Sequence, residues 1–241
     1  MITINHITKV FSNHYKAVDD MSLSIPDGEI VGFIGPNGAG KTTTIKMMTG
    51  ILESDEGSIE LNGIDIVKNP IEAKKQIGFV SDDADIFLRL KGIEYLNFMA
   101  DIYNVSEEKR KERIIELSQE FEMEKALNDK IISYSHGMRQ KIVIMGVLIC
   151  NPKIWILDEP MTGLDPKSSY ILKQMMKNHA SKGNTVFFST HVLEVAEKLC
   201  DKVAIINKGK IVYYGTLEQL KEKYQGVDNL EDIFMKVTSN E

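Results

Sequence analysis

One stretch constrains this chain more than any other: FIGPNGAGKTTT, residues 33–44, holds the pattern G-x-x-x-x-G-K-[ST] from Gly35 to Thr42. It follows the apolar run IVGFIG directly and opens TTIKMMTGI, whose apolar residues repeat at helical spacing. With glycine at about 7% of residues, such a spacing arises by chance in roughly one chain of this length in a hundred, and the strand-to-helix context makes accident rarer still. Glycines let a backbone curl into a nest whose N–H groups point inward, and the helix behind it adds its own unpaired N–H groups and positive dipole end. The result is an anion site suited to the β- and γ-phosphates of a nucleotide. Its expected ligands are Gly35, Pro36, Asn37, Gly38, Ala39, Gly40, Lys41, Thr42 and Thr43, with Lys41 as the cation and the Thr42 hydroxyl on Mg²⁺.

The apolar runs predict an α/β fold. IVGFIG, IGFVS, IWILDE, TVFFST and VAIIN are continuous apolar runs of the kind found in strands covered on both faces of a parallel sheet. ITINHITKVF and SIELNGIDI alternate instead, with Asp-Gly and Asn-Gly turns near them, which predicts an antiparallel subdomain at the N-terminal end. Residues 89–148 read as helices throughout and are expected to form an inserted helical subdomain. VAIINKGKIVYYGTLEQLKEKY predicts two strands around a Lys-Gly turn and then a helix with a Thr216–Gln219 capping box, so that a hairpin and helices occupy about 203–236. The whole chain, 1–241, is read as a single domain.

A phosphate loop of this type needs a carboxylate on a neighbouring strand. IWILDE supplies Asp158 at the end of a buried run, with Glu159 directly after it. Adjacent residues at a strand end point different ways, so Asp158 can serve a metal while Glu159 reaches a water near the γ-phosphate as general base. VFFSTH ends another buried strand on His191, and ligands in open α/β sheets sit at the carboxyl edge of the strands. His191 is therefore placed to hydrogen-bond the γ-phosphate or the attacking water.

Composition narrows the partners. The net charge is −6, which argues against a basic face for nucleic acid. Charged residues make up 27%, and the longest uncharged stretch, residues 142–152, is about half of what a bilayer span needs. Cys150 and Cys200 sit in apolar helical patterns, which predicts core thiols rather than a disulfide or a metal site. YSHGMRQK at 134–141 opens a further apolar helix, and its residues alone leave open whether Ser135 and Gly137 only cap that helix or bind a ligand.

Taken together, these motifs resemble the ATP-binding cassette (ABC) ATPases, with a match from about residue 2 to 236. GPNGAGKT looks like the family's Walker A, IWILDE its Walker B, TGLD at 162–165 its D-loop with Asp165, and His191 its switch histidine. YSHGMRQK falls where the family places its LSGGQ signature. The resemblance implies that Ser135, Gly137 and Gln140 act in trans, on the nucleotide of a second ATPase subunit. It also implies hydrolysis of ATP with Mg²⁺, catalysis by Glu159, His191 and Lys41, and a position on the cytoplasmic face of the membrane through a separate transmembrane permease subunit.

The departures carry information as well. Tyr134, His136 and Met138 replace the usual Leu, first Gly and Gln, a variant resembling the ATPase subunits of bacterial drug, antibiotic and peptide exporters. Asp82 stands where the family has its Q-loop glutamine; with Thr42 and Asp158 it completes the expected metal ligands. An aromatic residue upstream of Walker A stacks on adenine in the family: Phe11 sits in the matching frame, with Tyr15 as a rival and a core position as the other possibility for Phe11.

Overall fold

The computed structural model describes residues 1–12, 14–224 and 230–239. Strands β1 (Ile2–Phe11) and β2 (Tyr15–Ile25) pair antiparallel from Ile2↔Ile25 to Phe11↔Tyr15. β3 (Ile30–Ile34) is buried along its whole length and feeds the loop before helix α1 (Lys41–Met48). β4 (Glu56–Leu61) pairs with β1 and β5 (Ile64–Asp65), giving the antiparallel sheet the order β2-β1-β4-β5. The short helix α2 (Pro70–Lys74), with Pro70 in its first turn, leads to β6 (Ile77–Val80).

Helices α3 (Gly92–Ile102), α4 (Glu107–Glu120) and α5 (His136–Cys150) fill the range expected to be helical. Between α4 and α5 lies a 3₁₀ turn at Ile131–Ser133, just after Lys130, which forms an isolated bridge with Lys91 ahead of α3; no longer strand occurs there among the described residues. β7 (Ile154–Leu157), α6 (Pro166–Ser181), β8 (Thr185–Thr190), α7 (Leu193–Leu199), β9 (Lys202–Asn207) and β10 (Lys210–Gly215) follow. β9 and β10 form a hairpin whose turn residues Lys208 and Gly209 both have positive φ. Helix α8 (Leu217–Lys223) begins with the expected capping box, Gln219 N donating to Thr216 Oγ1 at 3.2 Å and Thr216 N to Gln219 Oε1 at 3.0 Å. α9 (Leu230–Ser239) completes the C-terminal segment; residues 225–229, within the range 203–236 of the expected hairpin and helices, lie outside the described residues.

The larger sheet has the order β10-β9-β3-β8-β7-β6, parallel except for the β9–β10 pair. Parallel neighbours require helices over both faces, which is why β3, β7 and β8 are buried at every position. Phe33 and Phe187 meet in adjacent strands with ring centroids 5.2 Å apart, and both are fully buried. This order places the carboxyl ends of β3, β8, β7 and β6 side by side, and each is followed within two residues by one the sequence analysis singled out: Gly35, His191, Asp158 and Asp82.

Candidate nucleotide-binding site

Packing and dihedral angle both dictate glycine in the loop after β3. Gly40 has φ +108, and a Cβ there would lie 2.3 Å from the Ala17 carbonyl oxygen. The chain can therefore lie against β2 and turn into α1 with its first N–H groups pointing outward. Lys41 Nζ donates to the carbonyls of Gly35 at 2.6 Å and Pro36 at 3.1 Å, which draws the ammonium over the loop. Burial pushes its pKa down, and the carboxylates of Glu159 and Asp158 push it back up. A partly desolvated cation facing the loop interacts more strongly with phosphate than one in bulk water.

A pocket of about 310 Å³ opens above this loop, lined by Phe11 and Tyr15 on one side and by Asp82, Asp158 and Glu159 on the other. Phe11 and Tyr15 are direct cross-strand partners, 44% and 54% exposed. The core position considered for Phe11 is thus corrected: the β1–β2 pairing ends there and holds its ring out at the pocket. Tyr15 is tied to the loop, its hydroxyl donating to Gly38 O at 3.0 Å.

Asp158 is only 1% exposed. Its Oδ1 accepts from Ser189 Oγ, and Oδ2 is buried with no partner. Burial is the largest influence on its pKa and raises it; the Ser189 and Thr42 hydroxyls act in the opposite direction, and Asp82 and Glu159 add to the rise. A buried carboxylate oxygen with no donor is costly, and a divalent cation beside the Thr42 hydroxyl would satisfy it. Among the described residues no group of three or more His, Cys, Asp and Glu could hold a metal unaided, so the remaining ligands would come from phosphates and water.

Glu159 takes φ +47, a left-handed conformation rare outside glycine, asparagine and aspartate. Its amide donates to Ser189 Oγ at 2.9 Å, which holds the turn, and its Oε2 lies 3.0 Å from His191 Nδ1. One serine thus serves both members of the acidic pair. Sequence reasoning missed Ser189; its signal was a hydroxyl inside the otherwise apolar run TVFFST. Asp82, two residues past β6, faces the same pocket and accepts from Ser81 Oγ at 3.1 Å.

The signature stretch lies elsewhere. Ser135 is the N-cap of α5, its Oγ accepting from Met138 N at 3.3 Å, and neither it nor Gly137 lines the pocket. Gly137 meets the chain after β7 closely: a Cβ on it would sit 2.6 Å from Gly163 O. Asp165 caps α6 by accepting from Ser168 N at 2.9 Å and Ser168 Oγ at 2.8 Å, and it pairs with Lys141 at 2.8 Å. Lys141, followed by Ser168, holds its carboxyl well below the usual range. Tyr134 is buried, its hydroxyl donating to Ala126 O at 2.6 Å. Gln140 departs from expectation: it is 2% exposed, because α5 turns that position inward, so its side chain does not share the outer face of Ser135.

The family profile described as "ABC transporter" matches residues 18–162, more than half of the chain. The chain belongs to the ABC transporter family. Over 239 residues it is 38% identical to the ABC transporter ATP-binding protein NatA of Bacillus subtilis (strain 168), covering 98% of this chain and 97% of that one. A solved ATP-binding subunit of an ABC transporter superposes with a TM-score of 0.93 at 29% identity, over 98% of this chain and 99% of the other. A dimeric ATP-binding cassette, solved in a post-hydrolysis state with ADP and Pi, superposes with a TM-score of 0.80 at 25% identity, over 90% and 99%.

The cassette is an ATPase subunit, and its pocket brings together the glycine-rich loop after β3, the Lys41 ammonium, the buried Asp158 carboxylate, and the Glu159 carboxylate paired with His191. No helix among the described residues is long and apolar enough to cross a membrane.

Proposed function

We propose that this cassette binds MgATP and hydrolyses it as a head-to-tail dimer, each nucleotide lying between the phosphate loop of one subunit and Ser135 and Gly137 of the other. The observation that carries this reading is the placement of Ser135. It sits exposed at the start of α5, outside the pocket its own chain forms, so its helix N-terminus is free to meet an anion held by another subunit. Asp165 at the start of α6 belongs to the same face, while Gln140 supports α5 from within.

Within each half-site the nest from Gly35 to Thr43 and the Lys41 ammonium hold the phosphates, and Phe11 or Tyr15 offers a ring to the adenine. Thr42, Asp158 and Asp82 would hold Mg²⁺, which neutralises phosphate charge when bound. Glu159 takes a proton from water as the water oxygen bonds to the γ-phosphorus. The bond from that phosphorus to the β–γ bridging oxygen breaks, releasing ADP and phosphate. His191 orients Glu159 and hydrogen-bonds the γ-phosphate.

The work is delivered to a separate membrane subunit at the cytoplasmic face. The apolar groove lined by Phe87, Leu88, Leu90 and Phe98 supports this, with the Phe87 and Phe98 rings exposed and the two leucines half-buried. Export of a drug-like or peptide cargo is supported by Tyr134, His136 and Met138 in the signature.

Glu159→Gln tests the dimer. It should bind ATP without cleaving it, so light scattering should show dimer mass with MgATP and monomer with MgADP. Adding Ser135→Arg places a long cation at the start of α5 and should abolish that dimer while ATP affinity stays nearly constant. Equal dimerisation of the single and double variants would make Ser135 an ordinary helix cap.

A further inference from the structure

The tip of the β9–β10 hairpin is buried against the phosphate loop. Gly209 has φ +81, and a Cβ on it would lie 3.0 Å from the Ala17 carbonyl oxygen, so glycine suits a turn that lies this close to β2. A two-residue hairpin turn closes through the residues that flank it, here the Lys210↔Asn207 pair, and leaves its outer peptide groups to water. Gly209 instead commits both of its groups to other segments. Its N donates to Ala39 O at 2.9 Å, and its O accepts from Asp19 N at 3.0 Å. The end of β9 meets the start of the loop as well, where a Cβ on Gly35 would lie 2.5 Å from Ile206 O.

The bond to Ala39 bears on the nest directly. A peptide unit is planar, and none among the described residues is cis, so the Ala39 carbonyl and the Gly40 N–H point in opposite directions. With that carbonyl drawn to the turn, the N–H faces away from the hairpin, and Gly40 lines the pocket. Tyr15 holds the preceding peptide in the same manner, its hydroxyl donating to Gly38 O. The turn is held from behind in its own right. Asn207 is buried and donates through Nδ2 to Thr238 O at 3.0 Å, in the last turn of α9, whose Ile233 and Val237 share a core with Ile205 of β9. Asp19 pairs with Lys210 at 3.2 Å, a second tie between the hairpin and β2.

We infer that Gly209 is a positioning residue for nucleotide binding: its amide, by holding the Ala39 carbonyl, keeps the Gly40 N–H turned into the nest, where a phosphate oxygen accepts it. A donor already oriented toward an anion binds it more tightly than one that must first be ordered. The contact to phosphate is made on binding and persists through hydrolysis, so KM rather than kcat carries the effect. The inference rests on the reading above that the loop from Gly35 to Thr43 holds the phosphates.

The experiment uses the full chain with Gly209→Ala, Asn207→Ala or Lys41→Ala. MgADP affinity comes from titration, KM and kcat from steady-state ATP hydrolysis, folding from thermal melts, and the Gly40 amide resonance from spectra of chain labelled with isotopic glycine. The added Cβ of Gly209→Ala should push the turn off the loop, weakening MgADP and raising KM roughly tenfold with kcat within about twofold, the order expected when one hydrogen bond to a charged group is lost. At saturating MgADP the Gly40 resonance should move by less than half of its shift in the parent. Parental affinity, or a parental Gly40 shift, overturns the inference. Should Gly209→Ala lose its cooperative melt, Asn207→Ala decides, since it frees the turn from α9 and leaves the Gly209 backbone intact. Affinity weakened more than twofold in that variant upholds the inference, and affinity within twofold overturns it. Lys41→Ala keeps the two readings apart: MgADP bound there at parental strength overturns the phosphate-loop reading and the inference with it, whereas binding lost in Lys41→Ala but kept in the turn variants overturns the inference alone.

Discussion

His191 Nδ1 lies 3.0 Å from Glu159 Oε2, which joins the end of β8 to the end of β7 at the rim of the nucleotide pocket. The two residues are 32 apart in sequence, and adjacent parallel strands bring them together. A carboxylate whose rotamer is held by a neighbouring ring is prepared to take a proton from a water in one direction only.

Replacing His191 by alanine should free that rotamer and lower kcat by about two orders of magnitude, within the usual span for a positioned acid–base group. Binding of ATP should change little, because Lys41 and the loop remain. Stopped-flow binding beside steady-state hydrolysis separates the two effects; an equal loss in both would place His191 in ground-state binding instead.

Ser189 holds the Asp158 carboxylate and the Glu159 backbone, donating to Asp158 Oδ1 and accepting from the Glu159 amide. Ser189→Ala should leave the left-handed turn at Glu159 without its anchor and Asp158 with one donor fewer. An increase of about 10- to 100-fold in the magnesium concentration for half-maximal activity is expected, the usual size of effect for a residue supporting a metal ligand. Thermal stability should fall only slightly.

Asp82 faces the same pocket as Asp158 and Glu159. If it serves the metal, Asp82→Asn should shift the magnesium titration while nucleotide affinity in EDTA holds steady. An unchanged titration would leave Asp82 as a loop acid with no part in the site.

His179 supplies a pH prediction independent of catalysis. It is 4% exposed, stacked on Trp155 with centroids 4.0 Å apart, and its Nε2 has no partner. Burial holds its pKa down to about 4, against 6.5 for the free group. The unfolded chain therefore binds this proton first, so stability is fully present above about pH 6.5 and is lost as pH falls through the folded value near 4. The loss totals on the order of 3 kcal/mol. Urea unfolding of His179→Phe, which keeps the stack and removes the titration, should show a slope between these pH values shallower by about one proton.

Much of the fold was legible because burial on both faces leaves a plain mark: runs such as IVGFI and TVFFST need no partner to be recognised as central strands. Helix α2 left no such mark, since five residues after Asn69 give too few turns for a periodicity to show. The phosphate loop was legible for a related reason, as a nest after a strand and before a helix is local geometry that local residue types specify.

The sequence by itself named the groups proposed to carry the chemistry: Lys41 and Thr42 by residue type and position at the start of α1, and Asp158, Glu159 and His191 by residue type and position at strand ends. Only the tertiary structure decided how they act together. The order β3-β8-β7-β6 brought Ser189 to the Asp158 carboxylate and the Glu159 amide, the β1–β2 pairing left Phe11 exposed beside Tyr15, and the packing of α5 turned Gln140 inward and tied Asp85 to Arg139 across 54 residues. The physical reason is that side-chain chemistry belongs to a residue, whereas burial and hydrogen-bond partnership belong to pairs of segments, and no single segment records which other one will lie against it.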